Sequence, residues 1–60
     1  MKNRIRELLD GRPVTWLAEK SGVKRTTIHT YIKGGIPQLD KAYAIARVFG
    51  VSVYDIWPDL

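Results

Sequence analysis

The residues most able to do chemistry stand between positions 24 and 33, where basic and hydroxyl side chains alternate with apolar ones and no acid occurs. An arginine such as Arg25 can donate two hydrogen bonds to O6 and N7 of a guanine, which is worth about 1–3 kcal/mol of discrimination between bases. Threonine offers a base edge a hydroxyl or a methyl group. This pattern is typical of a helix that enters the DNA major groove. The predicted base-contacting residues are Arg25, Thr26, His29 and Thr30.

Predicted phosphate contacts come from cations and hydroxyls at the ends of the same stretch and around the helix before it. Lys24 and Lys33 flank the stretch, and Thr27 lies inside it. A hydroxyl at position 27 is equally suited to capping the helix, so that alternative stays open. The N terminus of the preceding helix is also expected to present backbone N–H groups to a phosphate. The predicted phosphate-contacting residues are Arg12, Lys20, Lys24, Thr27 and Lys33.

Small and apolar residues occupy the inward positions of two short helices and of the turn between them. Gly22 permits the positive φ that a tight turn needs, and Val23 fills that turn. Ile28 and Ile32, four residues apart, supply the inward stripe of the second helix. Together they predict a helix-turn-helix over about residues 14–33. The positions that carry it are Leu17, Ala18, Gly22, Val23, Ile28, Ile32 and Gly34.

This stretch resembles the motif of the lambda-repressor-like family, the Cro and Xre-type helix-turn-helix proteins. The resemblance extends to residues 3–8, 37–40, 45–46 and 50–53, and so covers nearly the whole chain. It implies an all-α fold, a compact five-helix lambda-repressor-like domain that binds operator DNA, usually as a dimer. The matching motif residues are Leu17-Ala18-Glu19-Lys20, Gly22-Val23, Arg25, Thr27-Ile28, Tyr31 and Gly34.

The chain departs from the family pattern in three places. Pro13 and Val14 stand where the family usually has Ser or Thr followed by a DNA-contacting Gln, so that contact is missing. The loop before them is about two residues shorter than is common in the family. Ile32 occupies a position that is often acidic. These departures affect how the phosphates are docked and leave the expected fold unchanged.

Helical periodicity and end signals predict five helices. The first four are expected at about residues 2–9, 13–21, 25–33 and 39–49. Ser52 and Asp55 form a predicted capping box at the start of the fifth, which Pro58 closes. The fourth helix has a predicted inward stripe at i, i+3, i+4, i+7 and i+10, made of Leu39, Ala42, Tyr43, Ala46 and Phe49.

The positive charge is concentrated in the part of the chain that carries the motif. The chain has 60 residues and a net charge of +4. Residues 1–33 hold eight Lys or Arg against three acids, whereas residues 34–60 hold two against three. A basic surface attracts the phosphate backbone. A solvated helix also carries Lys and Arg, but the coincidence with the motif favours nucleic acid.

Composition argues against several classes of protein. There is no Cys and only one His, which argues against a metal site, and no Gly-rich phosphate loop or acid/base pair is present, so we expect no enzyme and no cofactor. No apolar run approaches the length of a membrane span, and no signal peptide or small-molecule ligand is evident. We expect one domain, residues 1–60, in the cytoplasm of a bacterium or of a phage-infected cell.

The segment 53–60 holds more large apolar groups than a terminus usually exposes. Ile56 is expected to complete the core, and a homodimer patch is predicted at Tyr54, Trp57 and Leu60. Trp16 is expected to lie half-buried against the first helix or its loop.

The predicted function is a sequence-specific, DNA-binding transcriptional regulator. We expect a repressor that binds a palindromic operator as a dimer, because a chain of 60 residues has no room for an activation domain. The alternative is a helical protein-interaction or antitoxin-like module with weak or secondary DNA binding. RNA binding is a weaker third option, because stacking aromatic residues do not line the basic face.

Overall fold

The computed structural model describes residues 1–60 and contains five helices and no strands. The all-α prediction is confirmed. No helix is long and apolar enough to cross a membrane. The helices are α1 (Ile5–Leu9), α2 (Val14–Ser21), α3 (Arg25–Ile32), α4 (Leu39–Phe49) and α5 (Val53–Ile56).

The turn between α2 and α3 forms as the sequence predicts. Gly22 ends α2 with a left-handed φ of 76°, and its N–H donates to the carbonyl of Ala18 at 2.9 Å. The Ser21 hydroxyl donates to the Leu17 carbonyl at 2.7 Å and accepts from the Val23 N–H at 3.2 Å. Val23 is buried in the turn. The angle between α2 and α3 is therefore held by both backbone and side-chain hydrogen bonds.

Helix α1 begins at Ile5 and not at Lys2, so the predicted start was wrong. Asn3 is the reason. Its Oδ1 accepts from the Ile5 N–H at 3.2 Å, and its Nδ2 donates to the Tyr31 carbonyl at 2.8 Å. The Arg4 N–H donates to the Ile56 carbonyl at 2.9 Å. Asn3 and Arg4 are thus tied to α3 and α5 and do not extend the helix.

The buried face of α4 differs from the predicted stripe. Ala42, Ile45 and Ala46 are buried, whereas Leu39 is 61% and Tyr43 49% exposed. The helix packs against α2 and α5, and Ile45 is a fully buried member of the core. By helical spacing, Ala42 and Ala46 can share a face either with Ile45 or with Leu39 and Tyr43. Periodicity alone therefore did not choose between Ile45 and the pair Leu39 and Tyr43.

Trp57 follows α5 and is a core residue, with no exposed surface. Its ring packs edge-to-face against Tyr31, with centroids 6.1 Å apart and an interplanar angle of 84°. The indole Nε1 is buried without a hydrogen-bond partner. The prediction that Trp57 belongs to a dimer patch was wrong, because the helix ends at Ile56 and the chain turns the indole inward. Tyr54 (63%) and Leu60 (38%) are exposed.

Trp16 is half-buried, as predicted, and it packs against the loop after α1, one of the two predicted places, and also against α4. Its ring lies 6.2 Å from that of Phe49, on α4, and the Arg12 guanidinium lies 4.0 Å from its centroid. It therefore links α2 to α4 and to the loop before α2.

Replacing Trp57 with Ala should unfold much of the protein. Truncating a buried aromatic residue costs about 3–5 kcal/mol, close to the whole stability of a small domain. Tyr54→Ala, on the adjacent exposed face, should change the free energy of unfolding by less than about 0.5 kcal/mol. Urea denaturation followed by circular dichroism measures both. Equal, small effects would show that Trp57 is not part of the core.

Candidate nucleic-acid interface

The outward face of α3 carries the polar residues that the sequence singled out. Thr26, Thr30 and Lys33 are exposed at i, i+4 and i+7 and so form one stripe along the helix and its C-cap. Arg25 is exposed in the first turn, and His29 is half-buried at the edge of the stripe. The four predicted base-contacting residues thus share one side of α3.

The inward face of α3 differs from the prediction in one residue. Ile28 is fully buried, as expected, but its main companion is Tyr31, which is 4% exposed. Ile32 was predicted to face the core and is only half-buried against it. The Tyr31 hydroxyl accepts from the backbone N–H of Gln38 at 3.2 Å. The aromatic ring therefore anchors α3 on the core and also fixes the loop that leads to α4.

Thr30 has little freedom within the stripe. Its hydroxyl donates to the Thr26 carbonyl at 3.1 Å, so its oxygen retains lone pairs that can accept a hydrogen bond from a base. A Cβ at position 35 would stand 2.9 Å from the Thr30 methyl carbon and 2.9 Å from its carbonyl oxygen. Only glycine fits there, and the Gly35 N–H donates to that same carbonyl at 2.9 Å.

The predicted phosphate contacts fall into two groups. Lys24 and Lys33 are exposed at the N-cap and C-cap of α3, and Thr27 is half-buried in its first turn. Pro13 gives α2 no side-chain cap, which leaves first-turn N–H groups of α2 to solvent or to an anion. Lys24 and Lys33 thus stand at the two ends of the exposed stripe of α3. The other two predicted phosphate-contacting residues, Arg12 and Lys20, lie outside α3 and its caps.

Arg12 uses its guanidinium inside the chain. Its Nε donates to the Leu9 carbonyl and its Nη2 to the Leu8 carbonyl, both at 2.8 Å. These bonds satisfy the last carbonyls of α1, and the same group stacks on Trp16. Arg12 is therefore a cap for α1 more than a free cation. Lys20 lines an open groove of about 550 Å³ between α2 and α4, together with Trp16 and Arg47.

Sequence reasoning missed the side chains that gather at the C-terminal end of α3. Asn3 donates to the Tyr31 carbonyl and, at 3.4 Å, to that of Ile32. Arg4 and Arg6 line a shallow depression beside Ile32. Cations are favourable near the unpaired carbonyls at a helix C terminus. An Asn just before a helix is a capping signal, but its bond to a distant helix leaves no trace in local pattern.

Nothing in the described chain resembles a metal centre, since no three His, Asp or Glu side chains cluster. The site is a surface of hydrogen-bonding and positively charged groups on one helix, with no acid between residues 24 and 33. Such a surface is suited to bind an anionic polymer with donors and acceptors on its edges.

Comparison with known proteins agrees with this geometry. Residues 5–56 match the family described as helix-turn-helix, a match that extends from α1 to the end of α5. No curated protein and no solved structure matches the chain.

Arg12→Gln should lower stability by about 1–2 kcal/mol, because it removes two charge-assisted hydrogen bonds and a cation–π contact. Lys20→Gln removes the same charge and should leave the free energy of unfolding within about 0.5 kcal/mol of wild type. Thermal unfolding of the two variants in parallel tests this. If both behave alike, the guanidinium does not cap α1.

Proposed function

The chain belongs to the lambda-repressor-like helix-turn-helix family of DNA-binding regulators, and from this premise we propose that it is a repressor. In this proposal it binds a palindromic operator as a homodimer, with α3 in the major groove. The observation that carries the proposal is the acid-free, exposed stripe of Thr26, Thr30 and Lys33 on α3.

The two faces of α3 support this docking. Ile28 and Tyr31 hold the helix on the core, so the opposite side is free to meet base edges. In the proposal Arg25 reads a guanine at the N-terminal end of α3, which is where a recognition helix enters deepest. Thr26, His29 and Thr30 contact the bases that follow.

Phosphate contacts fix the register of α3 on the duplex. Lys24 and Lys33 hold the two ends of α3, Thr27 contributes its hydroxyl, and the N terminus of α2 directs N–H groups at the backbone. Lys20 adds to the basic field, whereas the inward bonds of Arg12 make it a minor contributor. The activity is binding, without a catalytic step or a cofactor.

Repression follows from occupancy, because a protein seated on an operator excludes polymerase from the same DNA. A two-fold dimer would place two α3 helices about one DNA turn apart, roughly 34 Å. Of the predicted dimer patch, Tyr54 and Leu60 are exposed and available. We place this activity in the cytoplasm of a bacterium or of a phage-infected cell.

A second candidate function is favoured by one observation. Four large apolar residues have about half or more of their surface exposed: Ile36, Leu39, Tyr43 and Tyr54. Exposed apolar groups of this size mark protein–protein contacts when they form a patch. An antitoxin-like or adaptor module would use them for a partner protein and would bind DNA only weakly.

Selection of bound duplexes from a random DNA library, at near-physiological salt, separates the two functions. We expect an enriched, palindromic sequence with half-sites about 10 base pairs apart, centre to centre. Recovery of DNA without any enriched sequence would contradict specific recognition and favour the protein-binding alternative. An enriched single half-site would retain recognition and exclude the dimer.

Arg25→Ala and Lys33→Ala should weaken binding in different ways. Arg25→Ala should cost about 1–3 kcal/mol on the selected site and relax preference at one base position. Lys33→Ala should weaken selected and random duplexes alike and lower the salt slope, the dependence of log affinity on log salt concentration, by about 1. Fluorescence anisotropy across a salt series measures both. Equal losses on both kinds of DNA for Arg25→Ala would remove its role in reading bases.

A further inference from the structure

Most of one side of α4 is exposed, and Arg47 at the edge of this side also lines the groove between α2 and α4. Leu39, Asp40, Tyr43 and Arg47 are all exposed and share this side, at intervals of one, three and four residues. Ile36, in the loop just before α4, is 76% exposed. We call these five residues the outer stripe of α4. The opposite side of the helix packs against α2 and α5.

The outer stripe is apolar at its centre and at one end. Leu39 (61% exposed) and Tyr43 (49%) lie four residues apart, so their side chains are neighbours on the helix surface. Together with Ile36 they place three large apolar residues in a segment of eight, all outside the core. Grouped exposure of this kind is uncommon unless the surface meets a partner.

The charges of the outer stripe are arranged symmetrically about Tyr43. Asp40 precedes it by three residues and Arg47 follows it by four, so the two charges stand about 10 Å apart along the axis with Tyr43 near the midpoint. If a second α4 lies antiparallel across Tyr43, each Asp40 faces the partner's Arg47. The arrangement is self-complementary, as a two-fold interface requires.

We propose that the outer stripe of α4 is the homodimer interface, occupied by the same stripe of a second copy. Tyr43 meets its own copy on the two-fold axis. Leu39 packs on the aliphatic stem of the partner's Arg47, and two Asp40–Arg47 ion pairs flank the centre. The proposal rests on the dimer of the proposed function and identifies the surface that forms it.

The other exposed apolar surface is less suited to pairing with itself. Tyr54 and Leu60 share their segment with Asp55 and Asp59, and residues 53–60 contain no Lys or Arg. Two copies of this segment would bring like charges together, which opposes association. The outer stripe of α4 carries one acid and one base and so avoids this cost.

Three apolar side chains bury much less than the roughly 800 Å² per partner of a stable interface. The dimer should therefore be weak in free solution and should form mainly when two half-sites hold two copies side by side. Dimerisation should therefore be measured as cooperative binding to a full palindrome.

Charge reversal tests the proposed pairing. Asp40→Arg places two arginines opposite each other at each ion pair, and Arg47→Asp places two aspartates there. Each single variant should reduce cooperativity on the palindrome found by selection at least tenfold. The double variant Asp40→Arg/Arg47→Asp keeps the net charge of the wild type and should restore cooperativity. Affinity for a single half-site, measured alongside, corrects for the altered attraction to DNA.

The effect of the double variant on folding stability is expected to be opposite in sign to its rescue of cooperativity. Asp40 lies in the first turn of α4 and Arg47 in the last, where the charge of each side chain interacts favourably with the helix dipole. The double variant loses both favourable placements, so rescue by the double variant cannot come from regained stability. Tyr43→Lys, which places two like charges on the axis without altering either end of α4, should abolish cooperativity in a folded protein.

The possible results distinguish a failure of the α4 interface from a failure of the homodimer. Single variants that keep full cooperativity, or a double variant that fails to regain it while folded, would overturn the α4 interface. Loss of cooperativity in Tyr54→Ser, with the α4 variants unaffected, would place the dimer at Tyr54 and Leu60. A wild-type protein that binds the two half-sites independently would overturn both this interface and the homodimer of the proposed function.

Discussion

The position of α3 depends on the packing of Tyr31 against Trp57. Tyr31 belongs to α3, and Trp57 follows α5, so their edge-to-face contact joins α3, the helix proposed to meet DNA, to the C-terminal end of the fold. The Tyr31 hydroxyl also holds Gln38 at the start of α4, and Asn3 binds the Tyr31 carbonyl. One residue of α3 thus receives restraints from the segments just before α1 and α4 and from the residue that follows α5. In a chain this short, such convergence provides the rigidity that a recognition surface requires.

Helix α3 has one face that packs on the core and another that is exposed. Ile28 and Tyr31 are committed to the core, whereas Thr26, Thr30 and Lys33 meet no part of it. Lys33 stands near the exposed carbonyls of the last turn, where a cation is favourable before any DNA is bound. The basic character of the surface is therefore compatible with the fold that carries it.

The sequence predicted the parts of the molecule that depend on local backbone chemistry. Gly22 and Gly50 end their helices in the left-handed region, and Ser52 and Asp55 form the predicted capping box. The exposed side of α3 also followed from local spacing. Two of the errors concern long-range contacts: Asn3 is bound to α3, and Trp57 is buried by the turn after α5. Such contacts join residues far apart in sequence, so no local pattern reports them.

Gly35 carries a consequence for how this protein can evolve. Its N–H donates to the Thr30 carbonyl, and the carbonyl and methyl group of Thr30 leave no space for a side chain at position 35. Any substitution there must displace the last turns of α3, and with them Thr30, one of the proposed base contacts. On the proposed docking, operator preference in descendants of this sequence can thus change through position 35, which is not itself a proposed base contact, whereas Thr26 can be exchanged alone.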